Sequence, residues 1–119
     1  MAFRKKKSKS YNYLFISIPF SVWDSPAMRA CDTVSRVIFI EIVRRYNGFN
    51  NGKIPLSVRE AANKANVSPG TANKSIHKLV KVGLIKITKN SGFNMKGRLA
   101  RLFEITFRKK DYEPSNNSF

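Results

Sequence analysis

The stretch from residue 56 to residue 87, LSVREAANKANVSPGTANKSIHKLVKVGLIKI, constrains the fold most because it contains two helix-start signals in quick succession. Ser57 is followed three residues later by Glu60, which is the capping-box pattern at a helix N-terminus. Ser68 is followed directly by Pro69, which pairs a good N-cap with a proline at the first helical position. The two signals predict two consecutive helices joined by a short turn.

The second of these helices is predicted over about residues 69–82, ends at Gly83, and is amphipathic. One stripe is apolar and consists of Ala72, Ile76, Leu79 and Val80. The opposite face is polar and basic, and it carries Gly70, Thr71, Asn73, Lys74, His77, Lys78 and Lys81. The first helix, predicted over about 58–65, is short and contains the pair Ala61 and Ala62. We therefore expect the second helix to pack by its stripe and to present its polar face to solvent.

Upstream of these helices, Ser25 with Pro26 predicts a helix start, and Asp32 or Thr33 predicts a second. The second start leads into VSRVIFIEIVRRYNG, whose apolar residues cover most of a helical circumference. We expect this helix to end at Gly48 and to form the hydrophobic spine of the domain. The preceding YLFISIPFSVW reads as an extended segment that lies across the core.

Downstream, LIKITK and RLFEITFRK alternate apolar and polar residues, and the stretch NSGFNMKGRLA between them is rich in Gly, Asn and charge. This pattern predicts a two-stranded hairpin with a long tip. At 119 residues, the chain is expected to hold one small domain. We predict a basic flexible arm at 1–10, a folded domain at 11–108 and a flexible tail at 109–119.

The charge is strongly unbalanced, with 23 Lys and Arg against 7 Asp and Glu, a formal net charge of +16. Such a charge favours a polyanionic partner, either nucleic acid or an anionic membrane surface. The apolar run after the basic N-terminus is too short to span a bilayer and contains Pro19. We therefore expect no membrane partner and a cytoplasmic, nucleoid-associated protein.

The segment NGFNNGKIPLS predicts a turn followed by a short extended piece, Lys53–Leu56. The order helix, short strand, helix-turn-helix, hairpin resembles the winged helix-turn-helix DNA-binding proteins of bacteria and phages, in the broad class that includes MarR-like and GntR-like regulators. The resemblance covers roughly residues 25–108, and YNGFNNGKIPLS also resembles small helix-turn-helix proteins of phage and proteobacterial genomes. The matching residues are Ala61 and Ala62, Ser68 and Thr71, and the sequence Gly83-Leu84-Ile85. Asn66 stands where a turn glycine is often found, and asparagine tolerates the left-handed conformation. The implied fold is α+β, mainly α, with three to four helices and a small antiparallel β-hairpin wing.

The resemblance implies a recognition helix, about 69–82, in the major groove of double-stranded DNA, and a wing, about 84–108, on the backbone or minor groove. Candidates for base readout are Gly70, Thr71, Asn73, Lys74, His77 and Lys78, because readout comes mostly from the N-terminal half of such a helix. Candidates for backbone or wing contacts are Ser68, Lys81, Lys89, Lys96, Arg98 and Arg101. The arm residues Arg4, Lys5, Lys6 and Lys7 could enter a minor groove, raise non-specific affinity, or simply keep a disordered end soluble.

The expected function is sequence-specific DNA binding by a small transcriptional regulator. If it forms a homodimer, the expected dimer surface is the apolar segment 13–23 together with the long helix, 33–46. The alternatives are a plasmid or phage replication-initiator or partitioning module, and an architectural protein that binds nucleic acid without reading sequence. We expect no enzyme, cofactor, bound metal or small-molecule effector. His77 is the single histidine and Cys31 the single cysteine, and neither has the neighbours in sequence that catalysis or metal binding requires.

Overall fold

A computed structural model describes residues 14–90, 92–94 and 97–108, with the backbone alone described at 92–94 and 97–99. The predicted arm and tail lie outside the described residues.

The described residues form five helices and five strands, an α+β fold. The helices are α1 Phe20–Trp23, α2 Pro26–Arg29, α3 Thr33–Arg45, α4 Val58–Ala65 and α5 Pro69–Lys81. The strands are β1 Ile54–Leu56, β2 Ile85–Lys89, β3 Gly92–Asn94, β4 Gly97–Leu99 and β5 Arg101–Ile105. The expected number of three to four helices was too low, because two single-turn helices, α1 and α2, precede the long α3.

Helix α3 is the predicted hydrophobic spine. Its N-cap is Asp32, whose carboxylate accepts a hydrogen bond from the Ser35 backbone N–H at 2.9 Å. The helix ends at Arg45, earlier than the predicted Gly48, because Tyr46 adopts an extended backbone conformation. The Asn50 side chain donates to the Arg45 carbonyl at 3.2 Å and so satisfies one of the carbonyls left open at the helix end.

The sheet has three antiparallel strands in the order β1–β5–β2. Phe103, near the centre of β5, lies between Ile54 of β1 and Ile87 of β2. The prediction of a two-stranded hairpin was incomplete, because β1 pairs with the far edge of β5. The register between β2 and β5 shifts after Ile87, and the tip beyond it forms the separate two-stranded pair β3–β4.

Asn51 connects the turn before β1 to the end of β5 through side-chain hydrogen bonds. Its side chain is fully buried, and its Nδ2 donates to the carbonyls of Ile105 and Arg108 at 3.0 Å each. Its Oδ1 accepts from the Ile105 backbone N–H at 2.7 Å. These contacts give hydrogen-bond partners to the backbone N–H and carbonyl of Ile105 and to the carbonyl of Arg108. They therefore stabilise the end of β5, because a buried backbone group without a partner would be unfavourable.

The core lies between the sheet and the helices α3, α4 and α5, and its largest fully buried side chains include Phe39, Phe103, Ile76 and Leu79. The prediction that residues 13–23 lie across this core as an extended segment holds only in part for the residues that the structure describes. Ile18 and Val22 pack against the core, whereas Leu14 and Phe15 are exposed. An extended chain points alternate side chains away from the surface that it covers, and after Pro19 this segment turns into α1, so few of its side chains reach the core.

Candidate nucleic-acid interface

The helix-turn-helix unit begins with a complete capping box on α4. Ser57 Oγ accepts from the Glu60 backbone N–H, and the Glu60 carboxylate accepts from the Ser57 backbone N–H, both at 3.0 Å. Asn66 ends the helix in the left-handed conformation with φ +60°, the role for which a glycine is often used. The predicted bounds of α4 and the predicted tolerance of asparagine at this turn are confirmed.

Helix α4 holds α5 in place through small side chains. Ala61 and Ala62 are both buried in the core to which Ala72 of α5 also belongs. Alanine pairs allow two helix backbones to approach closely, since neither contributes a bulky side chain to the contact. The side of α5 that carries Ala72 is therefore held against α4 and α3, and its opposite side is left to solvent.

Two hydrogen-bonded hydroxyl groups, from Ser68 and Thr71, lie at the N-terminus of α5. Ser68 Oγ accepts from the Thr71 backbone N–H at 3.2 Å and donates to Thr71 Oγ1 at 3.1 Å. Thr71 Oγ1 thus accepts a hydrogen bond within the cap, while its own proton can be donated outward. With the positive end of the helix dipole at the same place, this terminus favours an anionic group such as a phosphate.

The two faces of α5 are divided as the sequence predicted. Ala72, Ile76 and Leu79 are fully buried and Val80 is half-buried. Ser75 is also buried, which the apolar pattern did not indicate. The exposed residues are Ser68, Gly70, Thr71, Lys74, His77, Lys78 and Lys81. Among the side chains predicted for the outer face, Asn73 differs in being half-buried.

Asn73 is half-buried because Arg101 lies against it. Arg101 Nη1 donates to Asn73 Oδ1 at 3.2 Å, which links the first residue of β5 to α5. A guanidinium group has donors and no acceptor, so the amide oxygen must face Arg101 and the amide NH2 must point elsewhere. Sequence reasoning placed both residues in the site and missed the contact, since no local pattern joins positions so far apart in the chain.

Comparison with known proteins assigns the chain to no family. No protein-family model matches it, and no curated protein or solved structure is significantly similar to it. The case for a function therefore depends on the residues themselves.

The other predicted contact residues are described to different extents. Lys89 is exposed at the end of β2, where the chain leaves the three-stranded sheet for the tip. Arg98 lies on β4, on which the structure describes the backbone. Lys96 and the arm residues, Arg4, Lys5, Lys6 and Lys7, lie outside the described residues. For these positions the predicted contacts stay predictions.

A cleft beside α5 places one carboxylate near its basic face. The cleft is lined by Asp32 and Ser35 from the start of α3 and by Thr71, Lys74 and Lys78 of α5. The pKa of Asp32 is lowered by the Ser35 hydroxyl and backbone N–H, and further by the Lys78 ammonium, so the carboxylate is ionised at neutral pH. Because Asp32 offsets part of the charge of Lys78, Lys81 is the stronger candidate for a phosphate contact.

The remaining chemistry-bearing groups form no second site in the described part of the chain. Burial raises the pKa of the Cys31 thiol, and Cys31 Sγ donates to the Ala27 carbonyl at 3.4 Å. Within the described ranges, no cluster of three or more His, Cys, Asp or Glu side chains is arranged to hold a metal ion. None of the described helices has the length and apolar character needed to cross a membrane.

Proposed function

We propose that the chain is a winged helix-turn-helix protein that binds double-stranded DNA in a sequence-specific manner and acts as a small transcriptional regulator. In this proposal α4 and α5 are the helix-turn-helix, α5 is the recognition helix, and β2 and β5 with the tip between them are the wing. The observation that carries it is the division of α5 into a buried apolar stripe and an exposed face of hydroxyl, amide and basic groups.

The size of α5 suits a DNA groove. Its 13 residues span about 20 Å at ~1.5 Å per residue, and a B-DNA major groove about 12 Å wide admits one α-helix. The N-terminal half of the helix would enter most deeply, with Thr71 donating to a phosphate and Gly70 allowing the backbone to approach the DNA closely. Lys74 would contact a guanine or a phosphate, and Asn73 an adenine.

Charge around α5 supports an anionic partner. The helix has no acidic residue, whereas Lys74, Lys78 and Lys81 follow one another along its exposed side. Elsewhere, Glu41 pairs with Arg44 and Arg45, and Glu60 is used in the capping box. Apart from Asp32 at the edge of the cleft, the charged groups on and beside the exposed face of α5 are basic, which in a chain of net charge +16 favours a polyanionic partner.

The alternative functions differ in how they use DNA sequence. A replication-initiator or partitioning module would use the same helix on repeated direct sites. An architectural protein would use the net charge of +16 without base readout.

Selection of duplexes from a random library at physiological salt, followed by sequencing, tests the proposal. An enriched inverted repeat supports a dimeric regulator, and enriched tandem direct repeats favour the initiator. Tight, salt-sensitive binding without enrichment favours the architectural protein and removes base readout from α5.

A further inference from the structure

A groove at the C-terminal end of α3 is lined by apolar side chains and by arginine. Its volume is about 850 Å³, within the range of roughly 300–1,000 Å³ that binding pockets have. One side is formed by Leu14 and Phe15, which are 82% and 83% exposed, and by Ile16. The other side is formed by Arg44, Arg45, Tyr46 and Asn47. We call this surface the α3-end groove. Exposed apolar side chains gathered in a concave surface indicate a binding site.

The two arginines of the α3-end groove differ in exposure. Arg45 donates to Glu41 at 2.9 Å and to the Pro55 carbonyl at 3.3 Å, and 23% of its side chain is exposed. Arg44 donates from Nη1 to Glu41 at 3.3 Å, and 57% of its side chain is exposed. A guanidinium group has five N–H donors, so Arg44 can also bind a second carboxylate. The groove therefore fits an apolar side chain that has a carboxylate beside it.

The structure describes the chain up to Arg108, and this residue lies at the edge of the α3-end groove. The Arg108 carbonyl accepts from the buried Asn51 side chain at 3.0 Å. The Arg108 guanidinium lies 5.5 Å from the centre of the Tyr46 ring, and Tyr46 lines the groove. Both contacts hold Arg108 in place, so the residues that follow it start from a fixed point beside the groove.

The sequence after Arg108 has the chemistry that the groove fits. Residues 109–119 read KKDYEPSNNSF, in which Asp111 and Glu113 flank Tyr112. These two are the only closely spaced pair among the 7 acidic residues of the chain. Tyr112 is four positions beyond Arg108, so an extended chain lets it reach about 14 Å from there. A tyrosine ring can bury its apolar body while its hydroxyl stays in water.

From these observations we infer that the α3-end groove binds the Asp111–Glu113 segment of the same chain. The Tyr112 ring packs against Leu14 and Phe15, and a flanking carboxylate binds Arg44. Because the segment is tethered beside the groove, its effective concentration is on the order of millimolar, so weak contacts are enough to hold it. The inference replaces the prediction of a flexible tail for this segment, and it is independent of the proposed DNA binding.

Photo-crosslinking of the full chain without DNA tests this inference. Tyr112→p-benzoylphenylalanine keeps an aromatic side chain at the position and forms covalent bonds with nearby C–H groups on irradiation. Mass spectrometry then locates the bonds. We expect most of them to join position 112 to the four groove residues Leu14, Phe15, Ile16 and Tyr46 within one chain. The matched control is Asn116→p-benzoylphenylalanine, which lies farther from Arg108 and should show no preference for the groove.

Two changes of charge separate binding from mere proximity. Arg44→Gln, and the double change Asp111→Asn with Glu113→Gln, leave the reach of the segment unaltered. Each should lower the groove crosslinks of position 112 about threefold, the size expected for one exposed ion pair. Combining all three changes should lower them no further, because both sets remove the same interaction. The substituted side chains lie outside the core, so circular dichroism should match the wild type.

Crosslinks spread over the surface from position 112 would overturn the inference, and so would a yield that neither charge change alters. Crosslinks that join two chains and disappear on dilution would show that a second copy occupies the groove. An absence of groove crosslinks in the folded protein would leave the groove to a different partner and would also overturn the inference. Because no DNA is present, these results do not depend on whether the proposed function is right.

Discussion

The Arg101 guanidinium donates from Nη1 to Asn73 Oδ1 at 3.2 Å and so joins strand β5 to α5. Arg101 is half-buried, and its Nε has no hydrogen-bond partner among the described residues, so the group is held by this contact and by packing. The contact turns the Asn73 NH2 group away from Arg101. In a DNA complex that NH2 would donate to the N7 of a purine, and the second lone pair of Oδ1 could accept from the N6 of adenine.

Asn73→Ala should relax the base preference at one position of the bound site and weaken binding to that site by about 1–3 kcal/mol. Arg101→Lys should relax the preference at the same position with little change in salt dependence. Lysine keeps the charge but lacks the planar set of donors that orients the amide. Both effects are measured by repeating the duplex selection with each variant. If Asn73→Ala changes a position that Arg101→Lys leaves unchanged, the contact does not orient the amide.

Lys81→Ala should weaken binding to all duplex sequences alike and lower the slope of log affinity against log salt by about one, as expected for one lost phosphate contact. Lys53→Ala is the matched control, because Lys53 is an exposed lysine just before β1, outside α4, α5 and the proposed wing. Fluorescence anisotropy at several salt concentrations gives both slopes. Equal slopes for the two variants would remove Lys81 from the interface.

Ile76→Asp should unfold the domain, because Ile76 is fully buried and an unpaired carboxylate would sit in the core. The milder Ile76→Ala should lower the free energy of unfolding by about 2–5 kcal/mol. The neighbouring His77→Ala, on the exposed side of α5, should change it by less than about 0.5 kcal/mol. Urea unfolding of the three variants measures these differences, and a folded Ile76→Asp would show that the assignment of the helix faces is wrong.

Acid should weaken the fold partly through Glu60. Its pKa is lowered in the folded protein, chiefly by the hydrogen bond from the Ser57 backbone N–H and also by Arg45. A group with a lowered folded pKa contributes stability above its unfolded pKa of about 4.3, and that contribution is lost as pH falls through the folded value. Glu60→Gln can keep the capping-box geometry without titrating.

We therefore expect the unfolding midpoint of Glu60→Gln to fall less steeply than that of the wild type between pH 5 and the acid range. Thermal unfolding monitored by circular dichroism at a series of pH values measures the two curves. Parallel curves would mean that the folded and unfolded states bind the Glu60 proton equally well.

The helices that could be predicted are those whose ends are determined locally. The capping box at Ser57, the Ser68–Pro69 start and the left-handed Asn66 all act within a few residues, so the bounds of α4 and α5 could be predicted from the sequence. The end of α3 could not, since it depends on the Asn50 side chain reaching back to the Arg45 carbonyl.

Long-range contacts explain the rest of what sequence reasoning missed. The pairing of Ile54 with Phe103 makes the sheet three-stranded, and no pattern in either strand specifies its partner. The Arg101–Asn73 contact likewise depends on how β5 is placed against α5. The exposure of Leu14 and Phe15 was missed because apolar composition favours burial without showing whether the core has room for those side chains.

The most direct test of the central claim is a pair of affinities measured at physiological salt. The full chain is titrated against its selected duplex and against a scrambled duplex of the same length and base composition. Sequence-specific recognition by α5 predicts that the selected duplex binds about 10³-fold or more tightly, and that Asn73→Ala reduces this ratio. Equal affinities for the two duplexes would contradict sequence-specific recognition by α5. They would indicate that the protein binds DNA through electrostatic contacts without reading its sequence.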